Sequence, residues 1–178
     1  ILTNGFKFDT FDNFDTYHTE QYVADGPHII EYPNPPSVAP GSAENGGAFA
    51  LTAGTYATIT AGSVNGYEVN GNTVALLEDG NADLCVSGNV GNGVLNGDSK
   101  LTVNNGVISK FITGSDGGTI NGNVISVING GTISELIIGT ADGSVINGNL
   151  IVSVNGGTIE KVESAGGSIT GKRIIMVN

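Results

Sequence analysis

The chain lacks tryptophan, has one cysteine and is poor in charge, with charged residues at 13% of its 178 positions. Because Cys85 stands alone, no disulfide can form within one chain. No apolar run reaches the ~18 residues that a membrane-spanning helix needs, so we expect no membrane insertion. Six basic residues against 17 acidic ones give a net charge of −11, which disfavours binding to nucleic acid or to anionic membranes.

What the chain has instead is a repeat. A marker, Asn-Gly followed by Asn or Asp, recurs at intervals of about 26 residues, and it begins at Asn70, Asn96, Asn121 and Asn147, with a degenerate copy at Thr170. A second Asn/Gly marker follows at matching offsets, at Asn104, Asn129 and Asn155. Self-similarity at a fixed period of this length predicts stacked structural repeats.

The segments between markers alternate like strands when the copies are aligned. One column is apolar throughout, and it contains Leu77, Val103, Ile128, Val154 and Val177. The neighbouring column is mixed and contains Leu76, Thr102, Val127, Ser153 and Met176. Alternate side chains of a strand point to opposite faces, so the apolar column is predicted to face inward and the mixed column outward.

Three short strands separated by Asn/Gly corners account for one coil. The prediction is an all-β fold: a parallel β-solenoid (β-helix) of about five coils of about 26 residues at 44–178, preceded by an irregular N-terminal arm at 1–43. A right-handed winding is expected. The repeated asparagines are predicted to form hydrogen-bonded ladders along the solenoid axis.

The motif Gly-Gly-Thr-Ile within this frame, at 130–133 and 156–159, resembles the Asn-Gly-Gly-Thr-Ile-type repeats of bacterial adhesin-like surface proteins. The resemblance covers residues 44–178. It implies an extracellular or cell-surface location and a role as stalk, adhesin or fibre, and it brings no catalytic residues with it.

Residues 1–43 contain all five prolines, both histidines and seven of the eleven aromatic residues. Phe8, Phe11 and Phe14 are each followed by aspartate, and Tyr17 continues this period of three, which suits neither a strand nor a helix. The stretch 27–40 is predicted to be extended or linker-like. This arm is interpreted either as a cap on the first coil or as a segment that docks on another subunit.

The arm also suggests a metal site, formed by the carboxylates of Asp9, Asp12 and Asp15. Calcium-binding loops use denser oxygen spacing and a glycine bend, and neither is present, so no metal-binding residue is assigned.

At the other end, the last strand-like segment carries Ile174 and Met176 and is not followed by a polar capping helix. An uncovered coil is a template for another chain, and a second copy of the protein is the expected partner. The residues predicted to contact that copy are Phe8, Phe11, Phe14, Tyr17, Ile174 and Met176.

Candidates for chemistry are few. Cys85 falls in an apolar column with Phe111 and is interpreted as a core residue. His18 and His28 lie in the arm without a recognisable nucleophile motif. Asp116 and Asp142, one repeat apart, are interpreted as solvated turn residues, with a shared cation as the alternative. Lys110, Glu135 and Lys161 are predicted to form an exposed charge ladder, and no catalytic or cofactor-binding residue is assigned.

The sequence therefore predicts a non-enzymatic structural protein that self-associates as an extracellular fibre, stalk or adhesin subunit. The alternatives are a virion appendage, a fragment of a longer adhesin, and a carbohydrate-binding or polysaccharide-degrading β-helix module that would bind glycan through exposed aromatics such as Phe49, Tyr56 and Tyr67. An ice-binding face would need a regular threonine ladder, and the columns Thr119/Ser144/Ser168 and Thr132/Thr158 are short and mixed.

Overall fold

The structure is a computed structural model that describes residues 27–30, 37–40, 46–64 and 66–178. These residues form strands that wind through three sheets, and the chain visits each sheet once per coil. The first sheet has six parallel strands: β3 (Gly47–Leu51), β6 (Thr73–Leu77), β9 (Ser99–Val103), β12 (Val124–Ile128), β15 (Leu150–Val154) and β18 (Arg173–Val177).

The second sheet has seven strands, of which five belong to the coils: β4 (Thr55–Thr60), β7 (Asn81–Val86), β10 (Val107–Ile112), β13 (Thr132–Ile138) and β16 (Thr158–Ser164). The third sheet consists of the shortest strands: β5 (Glu68–Asn70), β8 (Val94–Asn96), β11 (Thr119–Ile120), β14 (Val145–Ile146) and β17 (Ser168–Ile169). The predicted all-β parallel solenoid of about five coils is confirmed.

Two further strands extend the second sheet at its N-terminal edge. They are β1 (Pro27–Ile30) and β2 (Ser37–Pro40), which pair antiparallel with each other, and β2 pairs parallel with β4. The described parts of the stretch 27–40, which was predicted to be extended or linker-like, are therefore strands of this sheet. The backbones of β1 and β2 also come within 8 Å of β3, so they lie across the start of the first coil.

The register between coils agrees with the aligned columns. In the first sheet, the successive pairing partners are Leu77, Val103, Ile128, Val154 and Val177. In the third sheet, the successive pairing partners are Leu95, Ile120, Ile146 and Ile169. Side chains of these columns inside the stack are buried, and Ile120 and Ile128 are fully buried. A single coil could not bury its apolar face, and stacking gives each coil a neighbour.

One predicted column was wrong by a residue. Thr119 pairs with Val145 rather than Ser144, and Val145 pairs with Ser168. Seven residues separate Ile137 from Val145, whereas six separate their pairing partners Ile112 and Thr119. Ser144 therefore lies in the bend before β14, where its hydroxyl accepts a hydrogen bond from the N–H of Gly117 at 2.7 Å. A valine in the column weakens the ice-binding interpretation of this face.

Glycine marks the corners because adjacent backbones approach closely there. At Gly106, where φ is +123°, a Cβ atom would lie 2.0 Å from the carbonyl oxygen of Gly80 in the preceding coil. Both the left-handed backbone and the lack of space require glycine. Within the described part of the chain, no helix is long and apolar enough to cross a membrane.

The continuity of the core gives a first prediction. Leu101 is fully buried, and we expect Leu101→Ala to lower the free energy of unfolding by about 2–5 kcal/mol, because a cavity replaces the side chain. Thr102→Ala, one residue along on the outward face, should cost less than about 1 kcal/mol. Urea unfolding of both variants checks this, and equal losses would contradict the assigned strand faces.

Candidate functional site: the C-terminal face of the solenoid

The most unusual surface of the molecule is the end formed by β16, β17 and β18, which we call the C-terminal face. Each of these strands is the last in its sheet, and each pairs on one side alone among the described residues. The outer side of each strand therefore presents backbone N–H and C=O groups that no described strand pairs. Unpaired strand edges of this kind are templates for the addition of another chain.

Side chains that continue the core columns are exposed at this face. Val162 is 57% exposed, although its column neighbour Leu136 is 1% exposed, and Val177 is 74% exposed. Ile174, Ile175 and Met176 are also exposed. An apolar surface of this type, continuous with a core, marks an interaction site in a folded protein.

The opposite end of the solenoid is covered. Phe49 and Leu51, in the first strand of the first coil, are 2% and 4% exposed. Strands β1 and β2 lie next to this coil and continue the second sheet beyond it. The two ends of the described molecule are therefore different, since one is buried and the other is open.

Charge is also distributed unevenly between the ends. Residues 158–178 contain three of the six basic residues, Lys161, Lys172 and Arg173, and two acidic residues, Glu160 and Glu163. Residues 1–157 contain the remaining three basic residues and fifteen acidic ones. Residues 158–178 thus differ in net charge from the rest of this acidic protein.

The guanidinium of Arg173 occupies an unusual position in this face. Its Nη2 donates a hydrogen bond to the carbonyl oxygen of Ala165 at 3.3 Å, and no described carboxylate is within salt-bridge distance of it. Arg173 pairs in register with Leu150, which is fully buried, so it stands in an inward-facing column. An arginine there has unused donors for an anionic group.

The predicted charge ladder is present on the outside of the second sheet. The Nζ of Lys161 lies 3.1 Å from a carboxylate oxygen of Glu135, and the Nζ of Lys110 lies 3.6 Å from the other. The hydrogen bond from Lys161 is the main cause that lowers the pKa of Glu135, while Glu163 and then Glu135 raise the pKa of Lys161. The ladder is exposed, so it stabilises the fold little.

The predicted asparagine ladders are also present, and they have a direction. In the first ladder the Nδ2 of Asn147, Asn121 and Asn96 donates to the Oδ1 of the asparagine in the preceding coil, at 2.7 Å each. In the second ladder Asn178, Asn155 and Asn129 donate in the same sense, at 2.8 Å each. The amide dipoles therefore align, with their positive ends toward the N-terminal coils.

A carboxylate accepts from each ladder near its N-terminal end. Asn96 also donates to Glu68 at 2.8 Å, and Asn104 donates to Glu78 at 2.7 Å. A negative charge at the positive end of aligned dipoles is favourable, as it is at a helix N-terminus.

A buried polar spine that the sequence analysis missed runs along the corner after the second sheet. Asn89 is fully buried, and its Oδ1 accepts from the N–H of Ser63 at 2.8 Å. Its Nδ2 donates to the carbonyl oxygens of Gly93, at 3.0 Å, and Thr119, at 2.8 Å. The spine continues in the next two coils, where the N–H of Asn89 donates to the hydroxyl of Ser115 at 3.1 Å and the N–H of Ser115 donates to the hydroxyl of Thr140 at 3.0 Å. The signal was a glycine before each member, at Gly62, Gly88, Gly114 and Gly139.

Cys85 is fully buried between Ile59 and Phe111 of adjacent coils. Burial raises the pKa of its thiol far above the ordinary range, because the thiolate would lose its hydration. A thiol held neutral and away from solvent is not a nucleophile. The core interpretation of this residue is consistent with its position.

The other candidates are placed as follows. Most candidates of the arm lie outside the described residues, namely Phe8, Asp9, Phe11, Asp12, Phe14, Asp15, Tyr17 and His18. The side chain of His28 is also outside them. Asp116 and Asp142 lie in bends of successive coils, and no group of three potential metal ligands occurs among the described residues. Of the three aromatics named for glycan binding, Phe49 and Tyr56 are buried and Tyr67 is exposed.

No protein-family model, curated protein or solved structure matches this chain. The class of protein is set by the fold alone, and the chain is a parallel β-solenoid repeat protein.

The Cys85 thiol gives a prediction for alkaline pH. The unfolded chain loses this proton near its ordinary pKa of 9.0, whereas the folded chain retains it, so the free energy of unfolding should fall as pH rises past about 9. The slope approaches ~1.4 kcal/mol per pH unit. Denaturant unfolding of the wild type and of Cys85→Ala between pH 7.5 and 10 measures the difference in slope, and parallel pH profiles would contradict it.

The polar spine gives another prediction. Asn89→Leu leaves the buried N–H of Ser63 without its partner and removes one hydrogen bond each from the carbonyl oxygens of Gly93 and Thr119, so we expect the free energy of unfolding to fall by about 3 kcal/mol. Asn121→Leu is the matched control, because Asn121 is exposed and water can replace its ladder bonds, and it should cost less than about 1 kcal/mol. Urea unfolding measures both changes. Similar losses of unfolding free energy for the two variants would contradict the stabilising role of the buried spine.

Proposed function

We propose that the chain is a non-enzymatic structural protein that self-associates through the C-terminal face, as a subunit of an extracellular fibre, stalk or adhesin. The observation that carries the proposal is the continuous stack of coils, joined by backbone pairing and by two amide ladders that point in one direction. A stack of equivalent coils can be lengthened by a second copy of the chain.

The rest of the solenoid suits a load-bearing spacer. One core runs through all the coils, and successive coils are joined by backbone pairing, amide ladders and the Lys110–Glu135–Lys161 ladder. At the usual interstrand spacing, five coils give a rod of roughly 24 Å. Copies joined end to end would extend this rod, and contacts that do not close into a ring give a filament.

The proposed location outside the cell follows from the Asn-Gly-Gly-Thr-Ile-type motifs and their resemblance to bacterial adhesin-like repeats. The strongly acidic surface keeps such a protein soluble and away from anionic surfaces. In this proposal the arm at 1–43 contacts a neighbouring subunit.

The proposal predicts that charge at the open face blocks association. Val177→Lys places an ammonium group where another chain would cover the face, and we expect the association constant to fall at least about tenfold. The matched control is Val107→Lys, since Val107 is also an exposed valine, at 54%, but lies in β10 at the middle of the solenoid.

The measurement is the mass by light scattering over a range of protein concentrations, with negative-stain electron microscopy of the same samples. The wild type and Val107→Lys should form assemblies whose mass grows with concentration, and Val177→Lys should remain monomeric at the same concentrations. A wild type that is strictly monomeric would contradict the proposed self-association, and equal effects of the two lysines would contradict the role of this face.

A further inference from the structure

The outer side of the first sheet, which we call the lateral face, is apolar along the solenoid. In β12 the outward Ile125 and Val127 are half-buried and alternate with buried residues. Register extends them into two columns, which are Val74, Lys100, Ile125, Ile151 and Ile174, and Leu76, Thr102, Val127, Ser153 and Met176. Most of this surface belongs to β6, β9, β12 and β15, each of which is paired on both sides. A contiguous apolar surface of this kind marks an interaction site.

Charge distinguishes the lateral face from the other long side of the rod. Each of the six strands of the first sheet has two outward positions, and Lys100 is the one charged residue among them. The outward positions of the second sheet include Asp83, Lys110, Glu135, Glu160 and Lys161. A chain with a net charge of −11 repels a second copy of itself. That repulsion is weakest where no outward strand residue is acidic, so the lateral face is the side on which two copies approach most easily.

The two asparagine ladders border the lateral face on both sides. Asn121 comes three positions before the first residue of β12, and Asn129 directly follows its last residue. Both side chains are exposed, and both bond to the asparagine of the preceding coil. The face therefore has an apolar centre and a hydrogen-bonded polar rim, which is the arrangement found in interfaces between proteins.

The spacing of the side chains favours the lateral face of a second copy as the partner. The outward residues recur once per strand, at the interstrand spacing of about 4.8 Å. Two sheets pack face to face about 10 Å apart, with the side chains of each sheet between those of the other. Two lateral faces have the same spacing, so one contact can repeat in every coil, as it does between the paired sheets of a steric zipper.

The size of the lateral face limits when such packing is stable. Six strands span roughly 24 Å and five residues of a strand span roughly 16 Å, so the face covers roughly 400 Å². A stable interface buries about 800 Å² on each partner, so two single copies would not stay together through this face. In rods of copies joined end to end, the lateral contacts of all copies add, and the pairing becomes stable.

We infer that the lateral face binds the lateral face of a second copy in a neighbouring rod, so that end-to-end assemblies associate side by side in pairs. Ile125, Val127 and Ile151 lie at the centre of this contact. Because each solenoid contributes one lateral face, the association stops at two rods. The inference rests on the proposed end-to-end association and adds a second interface to it.

The test is Val127→Lys in the full-length chain, which places an ammonium group at the centre of the lateral face. The mass per unit length of the assemblies, measured by dark-field electron microscopy, should fall about twofold relative to the wild type, because burying the unpaired charge separates the two rods. Lysine is compatible with the fold there, since Lys100 occupies an outward position in the adjacent strand β9. Val145→Lys is the matched control, because Val145 is a half-buried outward valine of the third sheet, and its mass per unit length should equal that of the wild type.

The outcomes separate this inference from the proposed function. Wild-type rods with the same mass per unit length as Val127→Lys overturn the lateral pairing and leave end-to-end association standing. Rods that separate equally in Val145→Lys also overturn it, and a wild type that is monomeric at every concentration overturns both proposals. Val127→Thr, which keeps the shape of the side chain and adds a hydroxyl, should give a mixture of paired and single rods. Circular dichroism of each variant establishes that the β fold is retained.

Discussion

Every other feature of the molecule depends on the constraint that successive coils stack at one interstrand spacing. The spacing fixes the register of the columns, and it brings corner backbones so close that a Cβ at Gly106 would lie 2.0 Å from a carbonyl oxygen. It also aligns equivalent asparagines at hydrogen-bonding distance. Because each coil is completed by its neighbours, a terminal coil is incomplete unless something covers it. At the start of the solenoid β1 and β2 lie in that place.

The stacking also gives the molecule a direction. The amides of both ladders donate toward the N-terminal coils, where Glu68 and Glu78 accept from them. Half of the basic residues lie in the last 21 positions, at 158–178. In the proposed assembly this polarity favours head-to-tail contact between copies.

The fold was largely predictable because the repeat shows the same pattern of inward and outward residues in several coils. A single strand-like segment is ambiguous, but five aligned copies separate the inward column of Val103 from the outward column of Thr102. Prediction failed where a copy departs from the average. The segment between Ile137 and Val145 holds one residue more than the segment between their partners Ile112 and Thr119, and this shifts Ser144 out of the predicted column. The spine at Asn89 was missed because a buried amide looks like another corner asparagine until its partners are known. The position of Arg173 in the column of the buried Leu150 was also missed, since the register of β15 and β18 is needed to see it.

Hydrogen exchange tests most directly whether the C-terminal face is completed by another copy. Amides of β16, β17 and β18 should exchange rapidly at low protein concentration and slow as the concentration rises, because their unpaired edge groups become bonded to a second chain. Amides of β10 and β13, paired on both sides within the chain, should exchange slowly at every concentration. Exchange at β16–β18 that stays rapid at all concentrations would contradict the account.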